Sequence, residues 1–222
     1  RINLCVKKNK IPIIVGGTGL YFNGITKGIS SIPEIKNKTR NLVRNLHKKL
    51  GQIKFYEKLI FIDPLSKNKI VSTDTQRTIR AYEVKVATKK SLYEWSSFTK
   101  PEFLNYDIKK IYLNIPRGKL LKNISARTEE MFQNGCIDEV KNFQTLNIDK
   151  SLSANKLIGL REISNYLRGK TTLEDTKDMI NIRTRQYAKK QNTWSRGHMK
   201  NWTKLYSKDL TILIKKVSKV IS

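Results

Sequence analysis

The sequence has few of the residues that build metal centres and disulfide frameworks. Its 222 residues include two cysteines, Cys5 and Cys136, and two histidines, His47 and His198. Two cysteines so far apart are too few for a disulfide framework or a zinc site, and two histidines add little to the ligand supply. The sequence therefore predicts no metal centre made of protein ligands alone.

Long apolar runs and a targeting signal are also missing. No stretch approaches the roughly 20 apolar residues needed to span a membrane, and no signal peptide is visible. We therefore expect a soluble, cytoplasmic, monomeric protein that does not insert into membranes. The first residue is Arg1 rather than Met, and residues 1–10 resemble the end of a helix, so a truncated N-terminus is expected.

Acidic residues are scarce relative to basic ones. Lys and Arg number 45 and Asp and Glu number 18, which gives a formal net charge of +27. A charge of this size favours a polyanionic partner, with nucleic acid the first candidate and an anionic membrane surface the second. Part of the charge has an alternative origin, because Lys, Asn and Ile are abundant throughout, as in a protein from an AT-rich genome.

The apolar pattern predicts an α/β fold with a helical insertion. Residues 11–15 are apolar on both faces, which indicates a buried parallel strand, and residues 106–115 predict a second strand. Helical patterns fill the space between the strands. We therefore expect an α/β core of residues 1–33 and 107–222 and a helical insertion domain of residues 34–106. The predicted helices cover residues 20–27, 35–50, 55–62, 72–87, 120–133, 137–146, 155–168 and 171–194. Gly51 is the predicted stop of helix 35–50, Thr73-Asp74 the predicted cap of helix 72–87, and Thr171 with Glu174 a predicted capping box of helix 171–194.

The first predicted strand leads into a glycine-rich loop, Gly16-Gly17-Thr18-Gly19. Gly16 and Gly17 permit positive φ and a close approach of the backbone to a ligand. Thr18 places a hydroxyl at the carboxyl end of the strand, where open α/β sheets bind their ligands. We interpret Gly16, Gly17, Thr18 and Gly19 as part of an active site, the alternative being an ordinary strand-to-helix turn.

Two further segments combine basic residues with helical patterns. In residues 74–80, Arg77 and Arg80 share a helix face and can clamp phosphates, the alternative being a solvated basic face. In residues 156–162, Gly159 interrupts a helical pattern at a cost of about 1 kcal/mol relative to Ala. Either something approaches the backbone closely beside Lys156 and Arg161, or the helix tolerates the glycine.

Residues 183–196 form the fourth segment, in which basic residues alternate with Gln, Tyr and Trp. Cations suit phosphates, amides suit base edges and flat rings suit unstacked bases, so this composition is typical of RNA binding. Alternatively, Tyr187 and Trp194 are core anchors. The two interpretations are compatible if the rings point inward and the charges outward.

Taken together and in this order, the four segments resemble the bacterial type of tRNA dimethylallyltransferase, also called tRNA isopentenyltransferase. The resemblance covers essentially the whole chain. It implies an incomplete P-loop-NTPase-like parallel sheet core with a helical insertion domain and C-terminal helices. It also implies transfer of a dimethylallyl group from dimethylallyl diphosphate to N6 of the adenosine 3′ of the anticodon, usually with Mg²⁺.

The resemblance assigns roles to individual residues. Thr18 would hydrogen-bond the catalytic carboxylate or the bridging oxygen of the diphosphate. The tRNA anticodon stem-loop would be held by segments of the insertion and of the C-terminal helices. The residues implied as tRNA contacts are Arg40, Gln76, Arg77, Thr78, Ile79, Arg80, Lys156, Leu157, Ile158, Gly159, Leu160, Arg161, Lys189, Lys190, Gln191, Asn192, Thr193, Trp194, Ser195 and Arg196.

One family motif does not occur in the 222 residues. The family's phosphate loop, Gly-x-x-x-x-Gly-Lys-Ser/Thr, and the aspartate base that follows it have no counterpart. We therefore expect this chain to be inactive alone, as a fragment, as one half of a split enzyme with a separately encoded N-terminal half, or as a remnant. The alternative function is tRNA binding without catalysis. A nucleotide kinase fits less well, because no lysine follows the glycines.

Overall fold

The computed structural model describes residues 1–101, 103, 105–149 and 152–221, and in these residues the protein is a mostly helical α/β fold with a small parallel sheet. The elements in chain order are α1 (Ile2–Lys7), α2 (Gly19–Lys27), α3 (Asn37–Leu50), α4 (Gln52–Ile62), a 3₁₀ turn (Pro64–Ser66), α5 (Thr75–Thr88), α6 (Leu92–Ser97), β1 (Ile111–Leu113), α7 (Arg117–Gln133), α8 (Cys136–Thr145), a second 3₁₀ turn (Ser153–Lys156), α9 (Leu160–Leu167), α10 (Leu173–His198), β2 (Thr203–Leu205) and α11 (Leu210–Ile221).

The sheet consists of β1 and β2, which run parallel with Ile111 opposite Thr203. Beyond the strands, Thr203 N donates to Lys110 O and Asn114 N donates to Leu205 O, each at 2.9 Å. Parallel neighbours need a long crossover connection, which here contains α7 to α10. The predicted strand 106–115 shortens to three residues, and β2 was not predicted.

The strand predicted at residues 11–15 is wrong. The structure has no regular element there, and Ile13 and Val15 are exposed, Val15 to 87%. A strand is stabilised by hydrogen bonds to its neighbours, and no described segment pairs with these residues. The P-loop-NTPase-like core therefore stays a prediction.

The chain divides into two compact units, residues 1–19 with 108–222 and residues 20–107. The predicted insertion of residues 34–106 falls within the second unit, which begins earlier in the chain. A separate RNA-binding role for this unit stays a prediction.

Helices α3, α4 and α5 form the core of the second unit. Phe55 and Leu59 lie one turn apart on α4 and are fully buried. The Phe55 ring packs against Tyr82 of α5 at 4.8 Å between centroids and meets the edge of His47 of α3 at 5.1 Å. Burial raises the pKa of the Tyr82 hydroxyl. Gly51, with φ of 73°, ends α3 and allows α4 to begin at once, as the sequence predicted for the stop of that helix.

A buried carboxylate fixes the end of α4. Asp63 is almost fully buried, and its Oδ2 accepts hydrogen bonds from Ser66 Oγ at 2.7 Å and Ser91 Oγ at 2.9 Å. Ser91 is also the N-cap of α6, where Glu94 completes a capping box. Asp63 therefore links the end of one helix to the start of another.

Two of the helix N-caps were predicted from the sequence. The predicted Asp74 cap of α5 is confirmed, since Asp74 Oδ1 accepts from Arg77 N at 3.1 Å. The box predicted at Thr171 and Glu174 is wrong by one residue. Thr172 caps α10 with Asp175, while the Thr171 hydroxyl is bonded to Thr176 Oγ1 at 3.0 Å.

Helices α7 to α10 form the core of the first unit. Ile163 of α9 and Ile180 of α10 are buried with Cys136 and Val140 of α8. Burial, together with the nearby Glu139 carboxylate, raises the pKa of the Cys136 thiol. A thiol that stays protonated is a poor nucleophile, so Cys136 acts as a packed side chain.

We expect Phe55→Ala to destabilise the protein by about 3–5 kcal/mol, because it leaves a cavity among fully packed helices. Phe61→Ala is the matched control, since Phe61 is on the same helix and is 87% exposed. That change should cost less than about 0.5 kcal/mol. Chemical denaturation of both variants measures the difference, and similar losses would contradict the described core.

Candidate functional site

The glycine loop of residues 16–19 packs against the C-terminal part of α10. Gln191 Nε2 donates a hydrogen bond to Gly17 O at 3.0 Å. A Cβ atom at position 17 would collide with the amide of Gln191, and one at position 19 would overlap the indole ring of Trp194. Gly19 is thus required by the close approach of the loop to α10, whereas the end of the flexible Gln191 side chain can shift to admit a Cβ at position 17.

The predicted positive φ of the loop glycines is wrong. Residues 16–19 all lie in the described part of the chain, and the glycines with positive φ are elsewhere, at positions 28, 51, 135, 159 and 169. In this structure the group that closely approaches Gly17 and Gly19 is a helix of the same chain, and the predicted approach to a ligand stays a prediction.

Thr18 lies between these two contacts with its side chain exposed. Its hydroxyl makes no hydrogen bond to any described residue, so it is free to donate and to accept. The backbone on its N-terminal side is held by Gln191, and the residue on its C-terminal side packs on Trp194. The structure thus presents an accessible hydroxyl at the predicted catalytic position, on a backbone segment that contacts α10 on both sides.

The predicted RNA-contacting segment 189–196 forms the last turns of α10. Lys189, Lys190 and Arg196 are exposed, as predicted, and so are Asn192 and Thr193. Ser195 is buried, and its Oγ donates to Gln191 O at 2.7 Å. The segment therefore offers cations to solvent.

Aromatic rings in this part of α10 occupy two different environments. The Trp194 ring is partly buried and stacks on His198 at 4.3 Å between centroids, with 3° between planes. The prediction that both rings point inward is wrong for Tyr187, which is 48% exposed. Tyr187 lies outside the hydrophobic cluster of its unit and is accessible for stacking.

Gly159 ends the continuous helix that the sequence predicted for residues 155–168. Its φ of 101° is unfavourable for any residue with a Cβ atom, and it separates a 3₁₀ turn from α9. An added Cβ would meet only Ile180 Cδ1, at an ordinary 3.8 Å. The backbone angle is therefore the reason for this glycine.

A buried carboxylate holds this turn in place. Glu162 Oε2 accepts from Gly159 N at 2.9 Å, and Glu162 Oε1 forms an ion pair with Arg183 Nε of α10 at 2.7 Å. Around the turn, Lys156, Leu157, Ile158 and Arg161 are exposed and Leu160 is partly buried. Glu162 thus fixes the backbone from which the exposed predicted contacts project.

The predicted contacts on α5 divide into exposed and buried residues. Gln76 and Arg77 are exposed, and Arg77 pairs with Asp74 at 2.7 Å. Thr78 is fully buried, with its hydroxyl bonded to Asp74 O at 2.7 Å, and Ile79 packs against the core of the unit. Thr78 and Ile79 therefore support the helix in this structure instead of presenting a surface.

Glu83 organises the cations of this surface. The side chain is buried, and its two oxygens lie 3.7 Å from Arg44 Nε and 3.6 Å from Arg80 Nη1. Both arginines remain partly exposed, while Arg40 has its Nε buried without a hydrogen-bond partner among the described residues. The sequence did not reveal the roles of Glu83 and Glu162. The only signal was their spacing, since Glu83 lies three residues after Arg80 and Glu162 lies three residues after Gly159.

The described residues contain no group of three His, Cys, Asp or Glu side chains that could hold a metal ion. The participation of Mg²⁺ stays a prediction. Across the same residues, no helix is both long enough and apolar enough to cross a membrane.

Comparison with known proteins decides the family. A family model described as IPP transferase matches residues 1–198. The chain belongs to the IPP transferase family. This membership confirms the resemblance read from the four segments.

Named relatives agree with this family. The chain is 49% identical over 213 residues to the tRNA dimethylallyltransferase of Pelagibacter ubique, covering 96% of the chain and 68% of the relative. It is 40% identical over 202 residues to the tRNA dimethylallyltransferase of Rickettsia massiliae, covering 90% of the chain and 56% of the relative. The chain thus spans about half to two thirds of the length of these IPP transferases.

A solved structure shows the same fold. A eukaryotic dimethylallyltransferase acting on tRNA superposes with a TM-score of 0.75 at 24% identity, over 98% of this chain and 56% of that chain. The mostly helical α/β fold of this chain is therefore the fold of the corresponding part of that structure.

We expect Gly19→Ala to destabilise the first unit by about 1–3 kcal/mol, because the new methyl group overlaps the Trp194 ring. Gly118→Ala is the control, since nothing lies within 4 Å of an added Cβ in α7, and it should be neutral or slightly stabilising. Equilibrium unfolding followed by tryptophan fluorescence compares them. Equal stabilities would show that the loop does not pack on α10 in solution.

We expect Glu83→Gln to weaken binding of an anticodon stem-loop RNA by about 5-fold, or roughly 1 kcal/mol, because Arg44 and Arg80 lose their shared anchor. Glu57→Gln is the matched control, since it changes the charge equally at an exposed position of α4. Filter binding gives both affinities, and thermal unfolding checks that both variants fold. RNA affinities that match in the two variants would rule out this positioning role.

Proposed function

We propose that the chain takes part in tRNA modification, by transfer of a dimethylallyl group from dimethylallyl diphosphate to N6 of the adenosine 3′ of the anticodon. The observation that carries this proposal is the family match over residues 1–198, together with relatives named tRNA dimethylallyltransferase at up to 49% identity. The exposed cations of α5 and α10 support a polyanionic substrate.

In the proposed reaction, N6 of the adenine attacks the allylic carbon while the bond from that carbon to the diphosphate oxygen breaks. The N6 proton passes to a base, and the departing diphosphate carries away the bonding electron pair. Thr18 is suited to donate a hydrogen bond to the bridging oxygen, because its hydroxyl is exposed and its backbone is held by Gln191. Such a donor stabilises the charge that develops on the leaving group.

Two parts of the reaction have no candidate among the motifs of this chain. A phosphate loop would bind the diphosphate, and an aspartate would accept the N6 proton. We propose that a further polypeptide segment supplies both groups. No step is assigned to Mg²⁺.

The alternative is tRNA binding without catalysis. The charge of +27 and the exposed basic residues of segments 74–80, 156–161 and 189–196 favour it, because they provide RNA contacts independently of any chemistry. Under this alternative, the chain binds an anticodon stem-loop with a steep salt dependence and transfers nothing.

An assay with labelled dimethylallyl diphosphate tests the enzymatic proposal. Transfer to an anticodon stem-loop is measured with the chain alone and with the uncovered segment of the Pelagibacter ubique relative added in trans. A stem-loop with guanosine in place of the target adenosine should accept no label. If no arm transfers the group while RNA binding persists, binding without catalysis is the function.

In the arm of this assay that transfers the dimethylallyl group, we expect Thr18→Ala to lower turnover about 100-fold. This is the usual effect of removing one hydrogen-bond donor to a developing anion. Thr211→Ala, at an exposed position of α11, should leave turnover unchanged. Stability should be unaffected in both variants, because the Thr18 hydroxyl has no partner among the described residues. Unchanged turnover in Thr18→Ala would remove this residue from the mechanism.

A further inference from the structure

A cavity of about 400 Å³ lies in the first unit, between the C-terminal end of α10 and the two strands of the sheet. Its polar lining includes Asn114, Asn192, Arg196, Lys200 and Lys204. Asn192 and Arg196 belong to the predicted RNA-contacting segment of α10. Asn114, Lys200 and Lys204 lie beyond the four segments and had no assigned role.

The charge of the cavity is of one sign. Arg196, Lys200 and Lys204 are exposed cations, and none of them has an ion-pair partner among the described residues. No carboxylate of the described residues contributes to the lining. Like charges gathered in a concave site raise the local positive potential, and an anion that enters relieves their repulsion.

The cations are carried by regular structure. Tyr112 of β1 and Lys204 of β2 are register partners, so their side chains lie on the same face of the sheet. Asn114 directly follows β1 and lines the same cavity, and its N–H is bonded to Leu205 O at 2.9 Å. The strand pairing therefore fixes where Asn114 and Lys204 enter the cavity.

The opposite wall comes from α10 and the turn that follows it. Arg196 lies in the last turn of the helix, and Lys200 follows two residues after its end. The buried Met199 anchors this turn, and its N–H is bonded to Ser195 O at 2.8 Å. The two walls thus bring cations from a helix end and a strand to one cavity.

We propose that this cavity binds a phosphate group through Arg196, Lys200 and Lys204, with the side-chain amides of Asn114 and Asn192 as neutral donors. A guanidinium group can bind phosphate oxygens in bidentate fashion, and ammonium groups act as point charges beside it. The volume accommodates a phosphate with bridging water. Two sources share this chemistry, a phosphodiester of the tRNA backbone and free diphosphate, and both rest on the proposed function.

The test compares two double variants of the full 222-residue chain. Lys200→Gln with Lys204→Gln alters the cavity, and Lys215→Gln with Lys219→Gln removes the same charge from exposed positions of α11. One arm measures the affinity for an anticodon stem-loop RNA between about 50 and 200 mM salt. The other arm measures the affinity for inorganic pyrophosphate by calorimetry at one salt concentration.

We expect the cavity variant to lose at least about 10-fold more affinity than the control in one of the arms. A loss in RNA affinity with a salt slope reduced by about 1–2 identifies a phosphodiester. A loss for pyrophosphate alone identifies free diphosphate. Lys200→Arg with Lys204→Arg should restore binding in that arm, which a defect in folding would not allow.

Equal losses in the cavity and control variants, in both arms, would overturn the phosphate site while leaving the proposed function intact. Failure of the unaltered chain to bind the stem-loop would instead count against the proposed function. The pyrophosphate arm alone would then test the phosphate site. Equal pyrophosphate affinities of the cavity variant and the control variant would overturn it.

Discussion

The structure depends on how a chain with a net charge of +27 uses its few carboxylates. Each unit places a glutamate in its interior and pairs it with arginines that reach the surface. Glu83 lies between Arg44 and Arg80, and Glu162 joins Arg183 to the turn at Gly159. A buried carboxylate is costly without such partners, and removing one partner leaves an uncompensated buried charge. The same carboxylates therefore lie beside the cations that the proposed RNA substrate requires.

The glycine loop and α10 form the second connection between fold and chemistry. Gln191 lies in a basic segment whose composition is typical of RNA binding, yet its amide donates a hydrogen bond to Gly17 O. Trp194, also in that segment, fills the space that the missing side chain of Gly19 leaves free. The proposed catalytic hydroxyl of Thr18 thus depends on the helix that carries proposed RNA contacts. A substitution in α10 is expected to alter both substrate binding and the position of this hydroxyl.

Sequence reasoning located the helices better than the strands, and the reason is physical. Helices such as α3 and α7 satisfy their backbone hydrogen bonds internally, so periodicity and caps such as Asp74 mark them locally. A strand exists only with a partner: residues 11–15 have a strong apolar pattern but pair with no described segment, while β2 is a short Thr-Lys-Leu stretch that pairs with β1. The exposure of the cations in the candidate site was predictable, because charge is visible in the sequence. The roles of Glu83, Glu162 and Thr78 were not, because their burial depends on packing between helices distant in sequence.

The parallel pairing of β1 and β2 has a consequence for the order of folding. Residues 114–202 separate the two strands, so their contact closes a long loop and cannot form early at low entropic cost. Helices α7 to α10 can pack together through contacts between residues closer in sequence before Thr203 pairs with Ile111. The phosphate cavity, whose walls include both strands, would then be among the last parts of the unit to appear and the first to open when the sheet separates. Amide hydrogen exchange at Thr203 and Asn114 would thus report the integrity of the binding site directly, well before global unfolding.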